Sequence, residues 1–296
     1  MRDTLSTFET GEDAGARPSV AETEVLIINL ADAAFRLGFQ KDQMASLGLS
    51  FTRVEAVAQA DFDEITLSEY SRRAPRPLIP GELACLLSHA ECWKRIVKQD
   101  KPFLVVEDDV VLSTQLPELL DQLAGVAQTR LVNLETFLDH PKYLSRRPHK
   151  RFSGQTCDLF SVIKGSGGSA AYIIGPGIAR RFLDALNKRV SLADTFIGVN
   201  SGARNLQTVP ALAAQMMTLH AIYGAEFAEV PHSTILTGDM GATRGGSKLR
   251  KLTQNPRSTL RRLSLEIRVG LEKFEAALFG QKLKIQPSRD LLDRWA

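Results

Sequence analysis

Three consecutive carboxylates, Glu107, Asp108 and Asp109, stand inside the apolar segment PFLVVEDDVVLS, residues 102–113. Val, Leu and Phe on both sides predict a buried strand that ends at the triplet. Adjacent carboxylates repel one another, and burial raises the cost of their charge. A divalent cation removes both penalties. All-oxygen donors suit Mg²⁺ or Mn²⁺, which bind through one or two carboxylates together with substrate phosphates. Such a centre holds a diphosphate and stabilises it as a leaving group. The plainer alternative is a solvated acidic turn, which would not need apolar runs on both sides.

The elements that must position the triplet follow from hydrophobic pattern. EVLIINL (24–30) is a short β-branched run and predicts a buried strand. The segment closing at Gly48 predicts a helix with a glycine stop, and LSFTRVEAV (49–57) alternates like a strand. This β-α-β unit predicts two parallel strands. In residues 82–100, Leu83, Leu86, Leu87, Ala90, Trp93 and Val97 recur at helical spacing and predict an amphipathic helix leading into the strand FLVV. RLVNLET (130–136) and LQTVP predict further strands, and GPGIARRFLDALNKR a helix. LFSVIK and SAAYII flank a glycine-rich turn with Gly165, Gly167 and Gly168, which suits a hairpin or a close backbone approach to a ligand. VPALAAQMMTLHAIYGAEFA, interrupted by Gln215 and His220, reads as a core helix. Strands alternating with helices predict an α/β domain whose ligands bind beyond the carboxyl ends of the strands, where the triplet lies.

Composition bounds the function. The 296 residues are 44% apolar and 24% charged with a net charge of +3, a soluble globular balance that gives no argument for nucleic acid. The charge is uneven: from Arg244 to Trp295 there are 13 Lys/Arg against 5 Asp/Glu. The polar, acidic first 23 residues predict a disordered tail and show no signal-peptide pattern. No apolar run approaches the roughly 18 residues that span a bilayer. Three cysteines without a C-x-x-C pattern suggest reduced thiols in a cytoplasmic setting. Cys85 and Cys92 share a helix face with His89 but supply too few ligands for a metal, which assigns them to packing.

Three segments in order, LIINLADAAFR, PGELACLLSHAECWKRIV and FLVVEDDVVLS, resemble glycosyltransferase family 25, the bacterial lipooligosaccharide β-galactosyltransferase group related to collagen galactosyltransferases. The resembling residues are Ile28-Asn29-Leu30 with Arg36, Gly81-Glu82 with Cys85, Ser88-His89, and Glu107-Asp108-Asp109. Gly168 to Ile174 resembles a later G-S-A-Y-L-I-S element, and Leu192-Ala193-Asp194 a P-x-D element whose proline is Leu192 here.

The resemblance covers residues 24–215. It implies a GT-A-like nucleotide-sugar-binding fold with a mainly parallel central sheet, a UDP-sugar donor, and Mn²⁺ (or Mg²⁺) on the triplet. Asp109 and Glu107 are the implied metal ligands, with Glu107 and Asp108 also reaching ribose or ligand waters. Asn29, at the end of the first strand, is expected to hold the nucleotide, or else to cap the next helix. Arg36 is expected at the diphosphate as a forked donor, or on a solvated helix face. Glu82 has a site role in the family pattern and would also suit the helix dipole. Ser88, His89 and Gly168 complete the donor-side candidates. Asp194 takes the position of the base that removes the acceptor hydroxyl's proton, and a helix cap is compatible with it. Asp239 lies in a loop that could order over the donor.

The expected organisation is a tail (1–23), a GT-A-like domain (24–240) and a basic helical extension (241–296). The expected activity is transfer of a hexose, galactose, to a lipooligosaccharide or other glycan acceptor with inversion. In the extension, residues 258–279 place Leu260, Leu263, Ile267, Leu271, Phe274 and Leu278 on one face, suited to an anionic membrane surface or to packing on the domain. The alternatives are a nucleotide-sugar-binding protein without transfer, and a basic nucleic-acid module. The absence of interleaved aromatics in the basic segment counts against the second.

Overall fold

A computed structural model describes residues 21–136, 141–165, 167–227 and 275–293. The first strand, β1 (Val25–Asn29), is buried along its whole length. Val25 and Ile27 face one core cluster, and Leu26 and Ile28 the other. An uninterrupted apolar run is what a strand covered on both faces requires. The same holds for β3 (Phe103–Glu107): Leu104 and Val106 point to one side, Phe103 and Val105 to the other.

Helix α1 (Ala34–Leu47) ends at Gly48 in the left-handed region, and β2 (Phe51–Glu55) returns parallel to β1 as expected. Next come α2 (Glu64–Ser71) and α3 (Pro80–Gln99), which buries Leu83, Leu86, Trp93 and Ile96. Strand β3 then pairs parallel with the other edge of β1. The strand order therefore reverses between β1 and β3, with α1 on one face and α3 on the other. A crevice opens at the carboxyl ends of such a pair, and both Asn29 and Glu107 end their strands there.

The chain continues through β4 (Val110–Leu112), α4 (Leu116–Ala127), β5 (Val132–Asn133), β6 (Lys142–Ser145), β7 (Lys150–Arg151), β8 (Asp158–Lys164), β9 (Ala171–Ile174), α5 (Pro176–Leu186), α6 (Ala193–Asn200), β10 (Leu206–Val209), β11 (Ala213–Gln215) and α7 (Met216–Tyr223). Residues 275–279 are helical, followed by β12 (Gly280–Leu283) and α8 (Arg289–Asp293). The main sheet has ten strands in the order β12-β6-β8-β10-β5-β9-β3-β1-β2, with β7 on β8; β11 and β4 form a second, small sheet. This is the GT-A-like α/β architecture. Its sheet is mixed: β2-β1-β3 and β5-β10 are parallel, whereas β9 runs antiparallel between β3 and β5.

Three local expectations change. The segments around Gly165–Gly168 are strands, but β8 pairs with β6, β7 and β10 while β9 pairs with β3 and β5, so they form no hairpin. The apolar stretch after Val209 is not one helix; β11 interrupts it, because β4 offers Ala213–Gln215 an antiparallel partner. In the expected tail, Glu22 and Thr23 are tied to Asp121, whose carboxylate accepts from both backbone N–H groups and from Thr23 Oγ1. The C-terminal segment joins the domain: β12 pairs with β6, and Asp290 accepts from Ser113 and Thr114. Asp239 and residues 258–274 of the expected amphipathic helix lie outside the described residues.

Candidate active site

The crevice beyond β1 and β3 is a cleft of about 420 Å³. Six carboxylates line it: Glu82, Glu107, Asp108, Asp109, Glu135 and Asp194. Among the other candidates, Arg36, Ser88, His89 and Gly168 also face it.

The turn carrying the triplet is held by groups that local sequence pattern does not reveal. Gln40 and Gln43 are polar residues on the buried face of α1. Gln40 Nε2 donates to the Asp108 carbonyl at 3.1 Å and the Val110 carbonyl at 2.8 Å, and Gln43 Nε2 donates to Val110 at 3.0 Å. Gln43 Oε1 accepts from Leu112 N–H at 2.8 Å. From the other side, Met216 N–H donates to the Asp109 carbonyl at 2.8 Å. A backbone fixed on both sides keeps three repelling side chains in place.

Each carboxylate has a different environment. Asp108 turns back into the protein, where its Oδ2 accepts from Asn29 Nδ2 at 2.7 Å and meets Arg36 Nε at 3.4 Å. Burial raises its pKa, and Arg36 and Asn29 oppose that rise. Asp109 Oδ2 accepts from Gln215 Nε2 at 3.2 Å, whereas Oδ1 is buried with no partner. Burial, reinforced by the charges of Glu107 and Asp108, pushes the Asp109 carboxyl up to about 7. Glu107 Oε1 meets His89 Nε2 at 3.3 Å and Ser169 Oγ at 3.1 Å.

Glu135 has no counterpart among the sequence candidates. It is a carboxylate just past the short β5, 2% exposed, and burial followed by the Glu107 charge raises its pKa. Its Oε2 accepts from Ala170 N–H at 3.0 Å. Lys142, equally buried, donates to the Gly167 carbonyl at 3.0 Å and to Gln207 Oε1 at 2.6 Å; burial lowers its pKa. Together with Asn133, which donates to Gly168 O at 2.7 Å, these groups fix the loop that forms one cleft wall. An acidic residue at the end of an apolar strand, as in LVNLE, is the signal that could have found Glu135.

This wall itself requires glycine at 168. Its φ is +87°, and a Cβ there would stand 2.6 Å from Glu135 Oε2. Gly168→Ala should therefore lose at least about 1–2 kcal/mol from left-handed strain alone. Urea unfolding checks this, and an unchanged midpoint would contradict it.

Other candidates are held by the protein itself. Asn29 is 1% exposed and does not line the cleft. Its amide donates to Ala33 O and Asp108, and its Oδ1 accepts from Arg53 Nε at 2.9 Å. The expectation that it grips a nucleotide gives way to a bracket that holds Asp108. Glu82 pairs with Arg76 through both oxygens at 2.9 and 2.6 Å and accepts from Ile79 N–H at 3.2 Å, the anchoring expected of a carboxylate in the first helical turn. Ser88 Oγ donates to Ala84 O at 2.7 Å and accepts from Val57 N–H at 2.9 Å, which ties the segment after β2 to α3. Asp194 lies in the first turn of α6, and its Oδ1 accepts from Thr195 N–H and Oγ.

Cys92 packs in the core as expected, but Cys85 faces the cleft. The ligand atoms of Cys85, His89 and Glu107 lie within 4.8 Å of one another, a third group that spacing along one helix did not supply. The geometry speaks against a thiolate metal centre: both ring nitrogens of His89 are engaged, Nδ1 with the Tyr172 hydroxyl and Nε2 with Glu107. Burial and the charges of Glu107, Asp194 and Asp109 raise the pKa of the Cys85 thiol. Hard oxygen donors with one orphaned buried carboxylate oxygen, Asp109 Oδ1, fit Mg²⁺ or Mn²⁺ instead.

Residues 22–197, which span β1, α3, the triplet and Asp194, match the family model described as glycosyltransferase family 25 (LPS biosynthesis protein). The chain belongs to glycosyltransferase family 25. Its family relatives include the lacto-N-neotetraose biosynthesis glycosyltransferase LgtE of Neisseria gonorrhoeae, 27% identical over 214 residues, which cover 64% of this chain and 72% of that protein. LgtB of Neisseria meningitidis serogroup B is 29% identical over 175 residues, 53% of this chain and 60% of that protein. The lipooligosaccharide biosynthesis protein lex-1 of Haemophilus influenzae is 31% identical over 119 residues, 38% of each chain. The family match ends at residue 197, so Gln215 and the C-terminal strand lie beyond it.

Proposed function

We propose that this family 25 glycosyltransferase moves galactose from a UDP-sugar to a lipooligosaccharide acceptor with inversion, using Mn²⁺ or Mg²⁺. The observation that carries the reading is Asp109 Oδ1, buried and unpartnered beside Glu107 on the wall of a carboxylate-lined cleft. The names of the relatives, which concern lacto-N-neotetraose and lipooligosaccharide biosynthesis, support the acceptor class.

Asp109 and Glu107 would hold the cation, which when bound neutralises the donor's diphosphate and makes it a better leaving group. Asp108 stays bracketed by Asn29 and keeps Arg36 at the cleft, where the guanidinium donates to a phosphate oxygen. The Asp194 carboxylate takes the proton of the acceptor hydroxyl as that oxygen attacks the anomeric carbon and the bond to the diphosphate breaks. No helix among the described residues is long and apolar enough to cross a membrane. The proposed setting is the cytoplasmic membrane face, where a lipid-linked acceptor would be met by peripheral contact.

A panel of UDP-hexoses, with release of UDP as the readout, tests the reading. UDP-galactose with Mn²⁺ should turn over fastest, a lipooligosaccharide acceptor should accelerate it, and EDTA should abolish it. Full turnover in excess chelator would sink the metal assignment.

A further inference from the structure

Behind the cleft wall a chain of buried polar groups, Trp93, Tyr172 and His89, leads to Glu107. Trp93 Nε1 donates to the Tyr172 hydroxyl at 2.9 Å, that hydroxyl meets His89 Nδ1 at 3.1 Å, and His89 Nε2 meets Glu107 Oε1 at 3.3 Å. Trp93 and Tyr172 are wholly buried, and His89 is 1% exposed. The direction of the chain follows from the donor inventory. An indole N–H only donates, so the Tyr172 oxygen is an acceptor towards Trp93. Its own hydrogen then needs an acceptor, because a buried hydroxyl without one is costly, and His89 Nδ1 is the acceptor at hand. That places the remaining ring proton on Nε2, aimed at Glu107. Two rings neighbour the imidazole: His89 lies 6.4 Å from Trp93 at 22° and 5.7 Å from Tyr172.

We propose that Tyr172, oriented by Trp93, is a positioning residue that holds the Nδ1 side of His89, in the Nε2-protonated form that Glu107 also favours, and through the ring sets the direction of the Glu107 carboxylate. Both protein contacts of Glu107 fall on Oε1, from His89 and Ser169. The second oxygen is thereby presented to the cleft in one orientation, ready for the cation, a cation-bound water or the donor's ribose. The functional half of this inference rests on the reading of the cleft as a donor site; the tautomer half does not.

Nitrogen-15 NMR of the histidine-labelled free protein, with His89→Gln to assign the signal, reads the tautomer directly. Wild type should show His89 protonated at Nε2; protonation at Nδ1 would overturn the proposal without any variant. Tyr172→Phe removes only the hydroxyl; Nε2–H keeps its Glu107 acceptor, so the tautomer should stay while the unprotonated Nδ1 signal moves downfield on losing its hydrogen-bond donor. The Mn²⁺-supported KM for UDP-galactose should rise about tenfold, the usual scale for groups that orient a ligand-binding residue, with kcat changed less. An unmoved Nδ1 signal or an unchanged KM in a folded Tyr172→Phe protein would overturn it. Absence of any donor turnover by wild type would instead sink the transferase reading and leave the tautomer result standing.

Discussion

Asp109→Asn should lower transfer by on the order of 10²–10³, the scale on which the loss of one preorganised charge-stabilising group is felt, and should stabilise the cation-free fold. The two effects have one cause. Burial and the charges of Glu107 and Asp108 raise the Asp109 carboxyl to about 7, against about 3.9 in an unfolded chain. The folded protein thus holds a proton that the unfolded chain releases. Stability from this group is complete below about pH 4 and is lost as pH rises towards about 7. Asparagine carries no charge to bury. In EDTA at about pH 8 the variant should melt above wild type, with the gap closing as the pH falls towards about 4. Mn²⁺ should raise the melting temperature of wild type and leave the variant unmoved, because only the form that binds the ion is stabilised by it. Thermal unfolding across a pH series, with and without Mn²⁺, reads both. Identical curves for the two proteins would mean that Asp109 neither suffers from its burial nor holds the cation.

Asp194→Asn should cost on the order of 10²–10⁴ in turnover, the usual worth of a general base, with donor affinity nearly unchanged. Asparagine retains a side-chain oxygen for the Thr195 contacts, so the start of α6 should stay intact. The split matters because Asp194 stands apart from the triplet in the chain yet lines the same cleft. A base meets the acceptor, so its loss should leave donor binding alone. Equal losses of donor affinity and turnover would reassign Asp194 to the donor side or to the scaffold.

The frame around the cleft was legible because its signals are local. Continuous apolar runs in β1 and β3 reported strands covered on both faces, and the period of α3 reported the stripe around Trp93. Gly48 marked the end of α1 through its left-handed geometry. What stayed hidden depends on partners distant in the chain. Neither β8 nor β9 carries a mark of its neighbours, so two correctly placed strands suggested a hairpin that the long-range pairing replaces. The all-apolar stretch through Ala213 is compatible with helix or strand until β4 supplies hydrogen-bond partners.

The same logic separates the site residues. The triplet announced itself by charge in an apolar context. Gln40 and Gln43 carry no sign in the sequence, and only the turn packed against α1 makes them a backbone clamp. Asn29 stood out correctly at the end of its strand, but its amide faces Asp108 rather than the cleft. Glu135 and Lys142 are tied to the loop 167–170 through Ala170 N–H and the Gly167 carbonyl, a tertiary fact with no local trace.

The central claim, a cation-assisted nucleotide-sugar site on Asp109 and Glu107, meets its most direct test in calorimetric titration of UDP-galactose. Wild type should bind the donor with Mn²⁺ present and lose most of that affinity in excess EDTA, and Asp109→Asn should bind weakly under both conditions. Equal affinity in all four cases would contradict the account.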